Sequence, residues 1–487
     1  MSAVIGLDVG TSGVKGIALA ETGEVLARVE RGYPLSTPRP GWSEQDPESW
    51  WLAAEAVLAE LQDIAGTPSG IGLSGQMHGL VTLDAKGRPV RPAILWNDQR
   101  TAAECAEIEE RIGLDRLIEL TGNRALTGFT APKLLWLRRH EPDAYARIAS
   151  VMLPKDYVRL RLCGVAATDV ADASGTLLFD VAGRRWSSAV CDALEVDHGW
   201  LPPALESPEV SGRTAAGVPV AAGAGDQAAG ALGVGVVDPG GPLSVVLGTS
   251  GVVFAALGDF AADPAARAHT FCHAVPGTWH AMGVMLSAAG SLQWLRDVVA
   301  PGVDFGTLVA EAAAWEPGVE GLTFLPYLAG ERTPHADPEA RGSFTGLTLR
   351  HDRGALVRAV LEGVAFGLGD CLDVLTQTGA TPTSGLAGGG GARSDLWLTI
   401  VASVLGLPLA RTAVDEGAAF GAALLGGCAG GVWSGTAEAV AATVRTTSQV
   451  EPDPDWTTAY AEVRGRYRAL YPALSHLSHT HHQEATS

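Results

Sequence analysis

The chain has 487 residues, of which 47% are hydrophobic and 18% charged. That is enough apolar material for two or more domains with their own cores, and too much for a disordered chain. The formal net charge of −20 repels nucleic acid and anionic membranes and excludes both as expected partners, but not an anionic nucleotide, since backbone N–H groups and Mg²⁺ in one pocket override the global field.

The first elements are strands. AVIGLDV (3–9) is apolar and β-branched, breaks at Gly10-Thr11-Ser12-Gly13, resumes as VKGIALA (14–20), turns at 21–24 and returns as VLARVE (25–30). This predicts three strands joined by two hairpins. Helical periodicity from Pro47 to about Ile64 follows, with Pro suited to a first turn. GIGLSG (70–75) reads as a short buried strand that runs out into a loop.

A strand–GTSG–strand unit then recurs. LSVVL (243–247) breaks at Gly248-Thr249-Ser250-Gly251 and resumes as VVFAAL. Two similar halves would produce this repeat, and the cluster Pro239-Gly240-Gly241-Pro242 marks the break between them. We assign residues 1–237 to a first domain, 238–445 to a second, and 446–487 to a C-terminal helix with a disordered His-containing tail. Further on, 356–379 has helical spacing, and GLAGGGGARS (385–394) reads as a strand end and Gly-rich turn before a helix starting near Asp395. The alternation of strands and helices predicts an α/β fold of mixed sheets flanked by helices.

Six cysteines are scattered without a C-x-x-C pair, the pattern of reduced thiols in a cytoplasmic protein. No signal peptide or apolar run long enough to span a membrane is visible. The histidines at 476, 479, 481 and 482 lie in a polar end without a carboxylate or Cys framework, so a solvated, frayed terminus is expected there.

Three Gly-rich turns follow strands: DVGTSG (8–13), GTSG (248–251) and GGGGA (388–392). Such turns let backbone N–H groups approach phosphate, although none has the Walker or dinucleotide pattern. Spread over two halves, they favour a nucleotide held between them. Asp8 precedes the first turn, where it either positions Mg²⁺ or caps its own loop. Asp226 is the one acid in the small-residue run GAGDQAAG (223–230). It reads either as a helix cap or as a general base beside a substrate that fills the space left by its neighbours. His78, in GQMHG, either meets sugar hydroxyls or is a satisfied structural histidine. Trp96-Asn97-Asp98 offers a flat apolar face beside polar groups, which suits a sugar, or packs as core and turn.

From Ile5 to about Gly426 the chain resembles the FGGY carbohydrate kinases. The segments IGLDVGTSGVKGIAL, GFTAPKLLWLRRHEP (128–142), GSFTGLTLRHDRGALVRAVLEG (342–363) and AGGGGARSDLW (387–397) resemble the family pattern. GLSGQMHGLVTLD (72–84), RPAILWNDQR (91–100) and FLPYLAGERTPH (324–335) resemble its xylulokinase branch. The resemblance implies two actin-like, RNase H-type domains with a cleft between them, closing over ATP and a small ketose, with phosphorylation of D-xylulose as the reaction. Ribulose, glycerol or gluconate is the alternative substrate, and an actin-like ATPase or a silent sugar sensor is a more distant reading. It implies Asp226 as the base, Asp8 near Mg²⁺ and phosphate, and Met77 and His78 on the sugar, with Gln227, Trp96 and Asp98 beside them. It places Thr11, Ser12, Gly248, Thr249, Gly390, Gly391 and Asp395 with the nucleotide. A homodimer is compatible with it. Gln227 stands where many xylulokinases carry Asn, a departure that bears on substrate fit.

Overall fold

The computed structural model describes residues 3–414 and 416–485. The first half opens with strands β1 (Ala3–Val9), β2 (Gly13–Ala20) and β3 (Val25–Gly32), an antiparallel meander as the two hairpin turns require. Helix α1 (Pro47–Ala65) starts behind Asp46, whose side chain accepts from the Glu48 N–H, an N-cap that satisfies a free first-turn donor. The chain then enters β4 (Ile71–Gly75), parallel to β1, and later β5 (Pro219–Ala221), parallel to β4. Helix α2 (Asp226–Val234) follows directly.

The second half repeats this plan. Strands β6 (Leu243–Leu247) and β7 (Gly251–Leu257) form a hairpin, with β8 (His269–Cys272) and β9 (Trp279–Met285) antiparallel beyond them. Helix α3 (Arg353–Gln377) leads to β10 (Gly385–Gly388), and α4 (Asp395–Leu405) leads to β11 (Leu409–Thr412). β10 lies parallel to β6, and β11 parallel to β10. The order β3-β2-β1-β4-β5 in one sheet therefore matches β9-β7-β6-β10-β11 in the other, and the GTSG turns occupy equivalent hairpins.

Alternation along β1 sorts its side chains. Ile5, Leu7 and Val9 pack with Trp50, Val57 and Leu61 of α1, and Val4 faces the opposite layer. That opposite layer contains α5 (Gly417–Ala429), a helix from the second half of the chain. Ala419, Phe420 and Leu424 of α5 share a core with Val4, Ala224, Ala228 and Leu232 of the first half. A Cβ on Gly421 would lie 1.8 Å from the Ala229 carbonyl oxygen, so glycine is what lets α5 meet α2 backbone to backbone.

The last helix, α6 (Pro454–Ala485), runs through the histidine-rich end. There His479 Nε2 meets Asp337 Oδ2 at 2.9 Å. The side chains of His481 and His482 lie outside the described residues. Among the described residues no group of His, Cys, Asp and Glu is placed to hold a metal ion, and no helix is long and apolar enough to cross a membrane. All six cysteines are free.

Candidate active site

Asp8 sits at the C-terminal end of β1, beside Ser74 of β4 and Lys15 of β2 in register. Its Oδ1 is enclosed and has no hydrogen-bond partner among the described residues. Burial pushes its pKa up to about 6, against the lowering effect of the Ser74 hydroxyl and the Lys15 ammonium. Residues Ala224–Gly225 also pair with the end of β4, opposite Ser74 and Gly75. Asp226, the next residue, opens α2 two strand spacings from β1, about 10 Å across the sheet. Burial and, to a smaller degree, the Asp8 charge raise the Asp226 pKa to about 7 against the opposing hydrogen bonds of Gln227. Gly225, rather than Asp226, holds the N-cap position, and no side-chain cap bond forms there. The capping reading of Asp226 is thus not what the structure shows. Asp226 thus feels the Asp8 charge, and among the described residues neither carboxylate is neutralised by an ion pair.

The first Gly-rich turn is braced from outside. Gln45 Nε2 donates to the Thr11 carbonyl at 2.7 Å, and Trp96 Nε1 donates to Thr11 Oγ1 at 3.0 Å. Thr11 Oγ1 donates in turn to Gln76 Oε1 at 3.2 Å. Gln76 Nε2 reaches Gln45 Oε1 at 3.0 Å, which also accepts from Trp50 Nε1 at 3.0 Å. Ser12 is exposed on the same turn. Gln45 and Gln76 were missed by the sequence reading, although Gln76 lies in the segment 72–84 that carries the family resemblance; a lone Gln offers no periodicity or spacing to flag it.

Met77 packs against Gly225, where an added Cβ would meet Met77 Cγ at 2.7 Å, so the GQMHG loop touches the residue preceding Asp226. His78 takes a left-handed backbone with φ of 68°. Its Nδ1 lies 2.7 Å from the Gly175 carbonyl, and a carbonyl can only accept, so Nδ1 carries the proton and Nε2 the lone pair. Burial, with the charge of Lys133 beside it, lowers the His78 pKa to about 3, so the ring is neutral. Lys133 was not singled out either: its buried Nζ donates to the carbonyls of His78 at 2.9 Å and Gly128 at 2.6 Å, clamping the loop.

Asp98 departs from the expectation that it meets a sugar. It is fully buried; its oxygens accept from the Arg100 guanidinium at 2.6 and 2.8 Å and from the Ser43 N–H at 2.7 Å. Its carboxylate is used up in bracing the wall. Trp96, by contrast, is 44% exposed.

In the second half, Gly248 and Thr249 form the turn between β6 and β7, and their carbonyls accept from Ala289 and Ala288 N–H at 2.8 Å each. Gly389 has φ of 82°, and a Cβ there would come within 3.0 Å of the Gly248 nitrogen. The two Gly-rich turns are therefore in backbone contact. Gly390 and Gly391 follow in a short helical turn, with open space beside Gly390. The Asp395 side chain is 86% exposed and pairs with Arg411 at 2.7 Å. The structure thus gathers Asp8, Thr11, Trp96, Met77, His78 and Asp226 on the first sheet, and Gly248, Thr249, Gly390 and Gly391 at the equivalent edge of the second.

Residues 3–233 match the N-terminal domain of the FGGY family of carbohydrate kinases, and residues 243–430 match its C-terminal domain. The chain is 44% identical to a xylulose kinase of Escherichia coli (strain K12) over 96% of this chain and 99% of that one. It is 39% identical to a xylulose kinase of Lactococcus lactis over 98% of both. The crystal structure of a xyloylose kinase from Brucella ovis superposes with a TM-score of 0.93 at 44% identity, covering 98% of this chain and 100% of that one. The matched stretches take in both sheets and every turn described above, and the chain belongs to the FGGY family of carbohydrate kinases.

Proposed function

We propose that the protein transfers the γ-phosphoryl group of ATP to the primary 5-hydroxyl of D-xylulose, with Asp226 as general base. The observation that carries the base assignment is the partly buried Asp226 carboxylate, whose pKa is raised to about 7 and which has no ion pair among the described residues. The substrate assignment rests on full-length likeness to xylulose kinases, at 44% and 39% identity.

In this reading Asp226 accepts the hydroxyl proton as the sugar oxygen bonds to the γ-phosphorus, and the bond from the γ-phosphorus to the bridging oxygen breaks to release ADP. His78, with Nε2 unprotonated, accepts from a sugar hydroxyl, and Trp96 supplies an apolar wall. Backbone N–H groups of the turns at Thr11–Ser12, Gly248–Thr249 and Gly390–Gly391 face the phosphates. The partnerless Asp8 Oδ1 fits a divalent cation, so Asp8 would hold Mg²⁺, which offsets charge on the phosphates. Six free thiols and the use of ATP support a cytoplasmic location for the enzyme.

The test is coupled ADP release with Mg-ATP across D-xylulose, D-ribulose, L-ribulose, glycerol and gluconate, with Asp226→Ala alongside. Turnover is expected to peak on D-xylulose and to vanish in the variant. A peak on another polyol sinks the xylulose assignment, sugar-dependent turnover that survives in the variant sinks the base, and sugar-independent hydrolysis that survives it sinks the sugar-kinase reading itself.

A further inference from the structure

The wall built by Met77 and His78 is completed from the other half of the chain. His78 meets Phe129 edge-on at 4.8 Å and lies 6.2 Å from Phe271 of β8. His269, at the start of β8, stacks on Phe271 at 5.6 Å, with its Nδ1 2.8 Å from Asn123 Oδ1. The Asn123 amide nitrogen donates to the carbonyls of Thr121 at 3.0 Å and Thr270 at 3.1 Å. Its oxygen is therefore the acceptor, and His269, like His78, keeps its lone pair on Nε2.

Arg332 approaches the same cluster. The residues on either side of it are pinned to the end of β9. Glu331 Oε1 accepts from the Leu286 N–H at 3.0 Å, the Thr333 N–H donates to the Val284 carbonyl at 3.0 Å, and the Val284 N–H donates to Thr333 Oγ1 at 3.1 Å. Val284 and Leu286 belong to the core that holds Met77, Phe129 and Phe271. Between these anchors the Arg332 backbone N–H bonds Glu331 Oε1 at 2.7 Å, while its guanidinium has no hydrogen-bond or ion-pair partner among the described residues. Its charge bears on both His78 and His269, helping to keep each ring neutral. A half-buried, unpaired guanidinium is costly, and the more unusual in a chain with 54 acidic residues against 34 basic ones. Its five donors complement oxygens that accept, such as a ketone carbonyl.

We propose that Arg332 is a ketose-binding residue contributed by the second half, donating to sugar oxygens opposite the two imidazoles. This rests on the ketose kinase reading above. It makes the sugar pocket a joint product of both halves: donors come from Arg332 and acceptors from His78 and His269.

Steady-state kinetics of Arg332→Gln and Arg332→Lys, with D-xylulose and ATP varied separately, test it. Loss of a charge-assisted donor is expected to raise KM for the ketose about tenfold or more while KM for ATP stays within about twofold. Arg332→Lys, which keeps the charge but not the fork, should fall between and serves alone if Arg332→Gln does not fold. An unchanged ketose KM, or an equal rise in both KM values, overturns the assignment. If the wild type turns over no ketose, the proposed function falls separately. Calorimetric titration of D-xylulose into the wild type and Arg332→Gln then decides: weaker binding by the variant upholds Arg332, and equal or absent binding in both overturns it.

Discussion

The pKa values of Asp8 and Asp226 are both raised by burial, and the Asp8 charge raises the proton affinity of Asp226 further. Removing the Asp8 charge takes away one cause of the raised Asp226 pKa, about 7 in the intact protein. Asp8→Asn is therefore expected to move the acid limb of the pH profile of kcat/KM to lower pH, in addition to any loss of rate. A limb that stays in place would mean that Asp226 does not set it. The same pair has a stability consequence. A carboxyl whose folded pKa lies above its unfolded value stabilises the fold fully below the unfolded pKa, near 4, and loses that contribution as pH rises through about 7. Asp226→Asn cannot ionise, so its melting temperature should exceed that of the wild type at pH 8, with the gap narrowing as pH falls toward about 4. Differential scanning calorimetry at several pH values reads this directly. At this scale the sequence singled out Asp8, Asp226 and His78 by the Gly-rich or small-residue stretches around them, and Met77 through the family resemblance. It misplaced Asp98, because its bond from the Ser43 N–H spans 55 residues of chain, and the neighbouring Arg100 that pairs with it gives no sign in the sequence of being buried.

The elements themselves were largely legible. Apolar, β-branched runs broken by Gly-rich turns marked β1, β2, β3, β6 and β7 with ends within two residues, and Asp46-Pro47 fixed the start of α1. What periodicity could not show is which helix covers which sheet. α5 reads GAAFGAALLGGCA, nearly apolar on all sides, the pattern of a helix buried all round rather than of one assigned to a given sheet. Its destination is decided by size complementarity: its glycines and alanines fit against the small residues of α2 and of β1 and β4. Gly421→Ala places a methyl group 1.8 Å from the Ala229 carbonyl oxygen, a separation that backbone must shift to relieve. It should cost about 1–3 kcal/mol of stability, measured by denaturant unfolding. Because Asp226 heads the helix that would shift, kcat should fall as well. A fully active variant of normal stability would show that α5 docks more loosely than the structure indicates.

At the scale of the molecule, the repeat of GTSG hairpins pointed to two similar halves, and the matching strand orders bear that out. Similar halves need not be independent ones. Met77, Leu80 and Phe129 from the first half share one core with Phe254, Phe271 and Met282 from the second. The helix at 417–429 roofs the first sheet from the far end of the chain. A break near residue 237 would uncover Val4, Ala224, Ala228 and Leu232, which pack against α5 in the intact chain. The intact chain is therefore expected to unfold in one cooperative transition, with calorimetric and van't Hoff enthalpies in agreement. Expressed alone, residues 1–237 should aggregate, since an apolar sheet face left without its helix is a surface for association. Co-expression with 238–487 should recover soluble material, because the missing roof lies entirely in the second piece. Two separated transitions, or a soluble and folded first piece, would show that the α5 contact is dispensable. The two halves would then be joined through the core around Phe129 and Phe271 and through bonds such as those of Asn123 to Thr270 and of Trp279 to Val181.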